Sequence, residues 1–377
     1  VPEVFESPGF VDAHAHLLRV AAGVAAPWAG EGVAAFHERL ARQGLSPMDL
    51  VGDALGENAA AGENAAAALL AGLARAASLG LVEVTEAGIP DWGYLDALLR
   101  CRERGPLPLR VRLMVASGLA DRSGAAAVAA RRTGDPWIEV TAVKFYADGW
   151  LGARTCAVCE PFADVPGSRG ILFLDAPSLA RRAGPYVEAG LGIATHAIGD
   201  RAVSTVLDAY AALWGHDPAA IRAAGARIEH VQVLSAELIA RLAELGVTAC
   251  IQPGFAVSDA SAVGPALGPG QTRRRWAYPW RHLLEAGVAV VAGSDYPIED
   301  LSPVGGLARL VTGAPSEVPI PPASILPIDD ALRIMTDARA GTTLLSDDPR
   351  GIPAAALADL AVVGTRPSSL IEGGAAV

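Results

Sequence analysis

An α/β fold in which eight parallel strands close into a (β/α)8 barrel of the TIM type is what this chain predicts, on three observations. Strand-like and helix-like segments alternate along most of its 377 residues, the pattern of a parallel sheet connected by helices. The strand candidates number eight, which is the count that closes such a barrel. The side chains capable of chemistry fall at the carboxyl ends of those strands, where barrels of this kind build their sites. An open doubly wound sheet is the alternative, and no glycine-rich phosphate turn follows the first strand to support it.

Taken in order, Phe10–Ala13 read as a short apolar strand entered from the Pro8-Gly9 turn. An imperfect echo follows, Gly56–Ala61 and then Gly62–Ala67, too few copies for a repeat architecture. The second copy opens a helix over Glu63–Ser78 that stops at Gly80. The next strands are Leu81–Thr85, Leu109–Ala116, Glu139–Phe145, Gly192–Thr195, Ala226–Glu229, Val247–Ile251 and Val288–Ala292. Helical spacing of apolar residues marks Ala176–Ala189, Ala202–Leu213, Ser235–Leu245 and Trp280–Ala286 between them. The Gly/Pro-rich stretches 150–170 and 253–270 are expected to be strand-to-helix loops on the site face.

Bulk properties bound the function. Hydrophobic residues make up 51% and charged residues 19%, enough to bury a large core. A net charge of −11 weighs against nucleic acid or an anionic membrane as partner. No apolar run reaches the roughly 18 residues of a membrane span. A small-molecule substrate is the expected partner, and a homodimer is left open. Four cysteines in a chain of this length do not make a disulfide framework, and the first residues of the sequence show no signal-peptide pattern, so the expected compartment is a reducing cytoplasm. Cys156 and Cys159 read as apolar filler in a loop.

Two histidines one residue apart, His14 and His16, follow the first strand. Alternate residues of a strand share a face, so their imidazoles converge into a bite suited to zinc, whose nitrogen ligands lie at roughly 2.0–2.1 Å. Lys144 lies inside the fourth strand, where desolvation favours its neutral amine. His196 ends the fifth strand, His230 the sixth, and Asp295 follows the eighth. Tyr146, Arg154, Arg201 and Gln252 sit on or just beyond strand ends and are candidates for substrate contact. Glu86 ends the second strand, placed to orient a neighbouring ligand. His37, His216 and His282 read as solvated or packing histidines, and Trp276, Tyr278 and Trp280 as packing.

Six stretches carry a resemblance: Lys144–Gly149, Gly152–Thr155, His196–Ala202, Ile228–Gln232, Tyr278–Arg281 and Gly293–Asp295. Together with the paired histidines they resemble the amidohydrolase superfamily of metal-dependent hydrolases, and within it the branch that includes N-substituted formamide deformylase. The resemblance implies zinc, one or two ions per chain, or another divalent metal. His14, His16 and Asp295 would hold one ion and His196 and His230 the second, with Lys144 bridging as a carbamate formed with carbon dioxide. The alternative is Lys144 paired with Asp148 beside a single metal. The implied reaction is hydrolysis of a C–N bond in an amide, formamide or cyclic amide by a metal-bound hydroxide, with Asp295 as proton shuttle and Lys144 as the second catalytic residue. Ester or lactone hydrolysis, decarboxylation on the same scaffold and a silent metal-binding relative are the alternatives. Relatives also carry a small β-domain built from both termini. Here residues 9–350 are expected to form the barrel, and 1–8 with 351–377 a remnant of that domain, including a strand over Ala358–Gly364. The segment between the first two strands is short for the branch, which implies a more open site.

Overall fold

In the computed structural model, which describes residues 4–23, 30–50, 63–314, 316 and 318–368, ten strands join into a single sheet. They are β1 (Phe5–Ala15), β2 (Leu81–Ile89), β3 (Arg110–Ala116), β4 (Ile138–Tyr146), β5 (Gly192–Ala197), β6 (Arg227–His230), β7 (Thr248–Ile251), β8 (Val290–Ala292), β9 (Thr336–Leu345) and β10 (Val362–Pro367). Their spatial order is β10-β9-β1-β2-β3-β4-β5-β6-β7-β8. Every pairing from β1 to β8 is parallel. The β1–β9 and β9–β10 pairings are antiparallel. Beyond β8 the chain returns to the end of β1, where Asp295 N donates to His14 O at 2.7 Å and His16 N to Tyr296 O at 2.7 Å.

Burial explains why the central strands are so apolar. All six residues of β5 and all four of β6 are buried, as expected when helices cover one face of a parallel sheet and side chains fill the other. Along β4, Val143 and Phe145 join the main core. The alternate residues Ala142, Lys144 and Tyr146 face the other way. Ala142 packs with Met114 and Ala194 as a floor of apolar side chains, and Lys144 and Tyr146 emerge above it. The helices stop and start on local signals. Ser302 caps the helix Pro303–Thr312 by accepting from Gly305 N, Pro303 sits in its first turn, and Gly313 ends it at φ +70°.

The eight parallel strands and the four helices lie where the sequence puts them, to within a few residues. Three expectations need correction. The first strand is much longer than Phe10–Ala13, because residues Phe5–Phe10 pair with β9. That partner is not legible in the sequence: Thr336–Leu345 is polar and broken by Gly341, so it lacks the alternation of a half-buried strand. Residues 253–270 are not an open loop but fold into two short helices, Phe255–Ser258 and Ala260–Leu267. The last strand is Val362–Pro367, and Ala354–Asp359 is a 3-10 turn. The first copy of the Gly-Glu-Asn-Ala echo lies outside the described residues, whereas the helix Glu63–Ser78 is present. Among the described residues no helix is long and apolar enough to cross a membrane.

One buried hydroxyl stitches the antiparallel flank to the parallel strands. Thr343 in β9, fully buried, accepts from Phe10 N at 3.0 Å where the β1–β9 register shifts, and donates to Gly80 O at 2.8 Å just before β2. Thr343→Val keeps the shape and strands both backbone groups, so it should cost about 1–3 kcal/mol in urea unfolding. An unchanged midpoint would show that water replaces the hydroxyl.

Candidate active site

The chain places its chemistry at the carboxyl ends of the parallel strands, around a cavity with about 90 Å3 open to the centres of water-sized molecules. His14, His16, Lys144, Tyr146, His196, His230 and Asp295 line it. The rest of the wall is mostly apolar and includes Val20, Met48, Leu50, Ala116, Trp150 and Ile298.

His14 and His16 do converge, although β1 ends at Ala15 and His16 begins the short helix Leu17–Ala21. Their rings are 5.6 Å apart and perpendicular. Both direct Nε2 at the same oxygen of Asp295, at 3.5 Å from His14 and 3.4 Å from His16. One ligand atom from each of the three lies within 4.8 Å of the others. Asp295 reaches this point through a left-handed backbone at φ +58°. His230 is turned inward the same way at φ +82°, and the β-branched Val231 follows at φ +42°. Such conformations are uncommon for residues other than glycine and concentrate at functional sites. Hydrogen bonds hold them here, Val231 N to Ala197 O at 3.1 Å and Asp295 N to His14 O at 2.7 Å.

Three of the four cavity histidines are anchored by one ring nitrogen. His14 Nδ1 donates to Glu229 Oε2 at 2.6 Å, His230 Nδ1 to Gln252 Oε1 at 2.7 Å, and His196 Nε2 to Gly149 O at 3.0 Å. Tyr146 stacks on His196 at 3.6 Å. His16 Nδ1 makes no hydrogen bond and stands 4.0 Å from Glu86 Oε1. Burial lowers the pKa of His16 and His196 well below the ordinary value and that of His230 to about 3. All three are therefore held neutral, the form in which an imidazole binds metal.

Lys144 is buried, and its Nζ has no hydrogen-bond partner. Burial lowers its pKa to about 8, partly opposed by the Glu229 carboxylate. It is not paired with Asp148. That carboxylate is spent on the backbone N–H groups of Ala157, Ile198 and Gly199, at 2.8–2.9 Å. The donor set thus fits divalent metal. Neutral imidazoles and a carboxylate face one space, and a buried amine beside them is left without a partner.

The four candidate substrate contacts part company. Tyr146 lines the cavity and accepts from Trp150 Nε1 at 2.8 Å. Gln252 lies behind His230 and positions it instead of lining the cavity. Arg154 turns away: its guanidinium is held by Asp164 at 2.7–3.0 Å and by Leu151 O at 2.9 Å. Arg201 begins the helix Asp200–Leu213 and lies outside the cavity wall. His37 is a packing residue, buried behind Tyr146 and Phe173 with Nδ1 2.9 Å from Thr155 Oγ1. The pair that sequence reasoning missed is Arg227 and Glu229. Arg227 Nε donates to Glu229 Oε1 at 2.5 Å, and both are buried. Burial would raise the Glu229 pKa, but Arg227 and Lys144 hold it well below the usual range. Two opposite charges at i and i+2 of an otherwise apolar strand were the available signal.

The sequence profile of the Amidohydrolase family matches residues 27–370. A Bacillus subtilis protein described as an amidohydrolase, YtcJ, is 34% identical over 241 residues, which are 63% of this chain and 44% of that protein. The N-substituted formamide deformylase of Arthrobacter pascens is 30% identical over 189 residues, 49% of this chain and 33% of the relative. The matches span less than half the length of these curated relatives. A solved structure from Pyrococcus horikoshii, described as an uncharacterized metal-dependent hydrolase, superimposes with a TM-score of 0.75 at 20% identity, covering 93% of this chain and 88% of that one. The chain belongs to the amidohydrolase family, and its mixed α/β fold with a large parallel sheet is shared with that structure.

Two predictions follow from the buried charges. Glu229→Gln leaves Arg227 buried without its counter-charge and should cost about 3–5 kcal/mol in urea unfolding. His37 is held at a pKa of about 4 by burial, against an ordinary 6.5. Below pH 6.5 the unfolded chain binds a proton that folded His37 refuses, so stability should fall toward pH 4, by up to about 3 kcal/mol. His37→Phe should flatten the fall of stability with acid over that window, so that the wild-type minus variant difference itself slopes; a difference that does not change with pH would assign the acid loss elsewhere.

Proposed function

We propose that this amidohydrolase family member is a zinc-dependent hydrolase that cleaves a C–N bond in an amide, formamide or cyclic amide. The observation that carries the reading is the convergence of His14, His16, His196, His230, Asp295 and the unpartnered Lys144 amine on one cavity. His14, His16 and Asp295 would hold one ion, and His196 and His230 a second. Lys144 would serve both as a carbamate, formed when its neutral amine adds to carbon dioxide and releases a proton. Metal at this site supplies Lewis acidity, lowering the pKa of water toward neutrality and polarising the substrate carbonyl. The formamide-cleaving relative from Arthrobacter and the metal dependence in the description of the Pyrococcus protein support this reading.

The protein groups divide the remaining work. Asp295 takes a proton from the attacking water and delivers it to the leaving nitrogen, so that amide and water yield acid and amine. Tyr146 accepts its hydrogen bond from Trp150, which leaves the phenol proton free for the substrate oxygen. Glu229, Gln252 and the Gly149 carbonyl fix the histidine tautomers. Glu86 faces His16 with an oxygen that has no hydrogen-bond partner. The same reading treats residues 9–350 as a closed barrel, and residues 1–8 with 351–377, which include β10, as what remains of a small β-domain. A reducing compartment agrees with four free cysteines.

Asp295→Asn should lower turnover of a formamide or amide substrate by about a hundredfold or more, with the folded fraction unchanged by circular dichroism. Near-normal turnover would remove the proton-shuttle role. Elemental analysis beside intact mass should find up to two zinc ions per chain and a labile carbamate. Full activity in metal-free protein would defeat the reading as a whole.

A further inference from the structure

One residue of the cavity wall has no place in the reaction above. Arg19 lies in the short helix Leu17–Ala21 and lines the cavity beside His16. Its Nε is shielded from solvent and has no hydrogen-bond partner. Most buried polar groups are satisfied, and a guanidinium offers five N–H donors that cannot be deprotonated. The Glu86 carboxylate stabilises the cation through space, but no hydrogen bond joins the two: Arg19 Nε and Glu86 Oε1 are each without a partner. Oε2 accepts from Leu18 N at 2.8 Å, and Oε1 faces His16. The charge is therefore tolerated in place while Nε is left without an acceptor.

We infer that Arg19 binds a carboxylate carried by the substrate, so that the site takes amides of the N-acyl amino acid class with an apolar side chain. The inference rests on the hydrolase reading above and deepens it. A planar carboxylate matches the guanidinium fork in a way a neutral group cannot. Spacing sets the substrate's length. Arg19 follows the ligand His16 by three residues, both line the cavity, and its charge acts on the His16 ring through space, so the two stand side by side. An acid group held there lies only a few atoms from the bond being cut, as an α-carboxylate does. Val20, Met48, Leu50, Pro90 and Ile298 supply the apolar wall for the side chain.

The test uses zinc-loaded full-length chain with N-formyl-leucine and N-formyl-leucinamide, which differ only in the acid group. Wild type should favour the acid in kcat/KM by about 10- to 100-fold. Arg19→Met should bring that ratio close to one, and Arg19→Lys, keeping charge but losing the fork, should retain part of it. Calorimetric binding of 4-methylpentanoate against 4-methylpentanamide reads the subsite without turnover. A carboxylate preference that disappears in Arg19→Met supports the inference even if neither formamide is hydrolysed, an outcome that would sink only the hydrolase reading. Equal use of both formamides by wild type, or a preference that survives Arg19→Met, overturns the role of Arg19 and leaves the hydrolase reading standing.

Discussion

The carboxylate of Glu229 is the hinge of the structure. It sits in the sheet interior, fully buried, between the guanidinium of Arg227 and the ring of His14. Isolated, a carboxylate there would be neutralised by burial. With Arg227 beside it, it stays charged and can fix the His14 proton on Nδ1, which turns Nε2 toward Asp295. Arg227 also donates to Ala13 O, tying β6 to the strand that carries the two histidines. Charge, tautomer and strand placement thus meet in one carboxylate.

A second constraint is the geometry at the strand ends. Regular β backbone would carry side chains alternately to the two faces of the sheet. His230 and Asp295 escape that alternation through left-handed φ values, which aim the ends of β6 and β8 at one cavity. The cost of those conformations is met by hydrogen bonds to the neighbouring strands, so the ligand positions are as rigid as the sheet itself.

Legibility in the sequence followed burial. Strands β5 and β7 are short, mostly apolar runs with His196 and Gln252 at their ends, and β4 carries Lys144 within its apolar second half, so their type and order could be read directly. Lys144 stood out as a charge inside such a run, and only the fold shows that Asp148 is spent on backbone N–H groups and does not pair with it. Residues whose roles depend on partners far along the chain could not be read. Arg154 looked like a cavity residue from its loop, and only the fold shows Asp164 taking its guanidinium. Gln252 looked like a substrate contact, and only the register of β6 and β7 puts His230 in front of it. Strand β9 was invisible because its stability comes from pairing with Phe5–Phe10 and not from its own pattern, as expected where context overrides propensity.

The return of the chain from β8 to β1 has a consequence for synthesis. Ser294 hydrogen-bonds Asp12 across 282 residues of sequence, and Asp295 meets His14 and His16 at the same junction. While the chain emerges from the ribosome, the paired histidines wait, without their carboxylate, until nearly all the parallel strands have been made. Contacts of such long range form late and slowly. Under the proposed function, an ion captured before that point would be held by a partial set of ligands, so the choice of metal would be settled only when the last parallel strand docks.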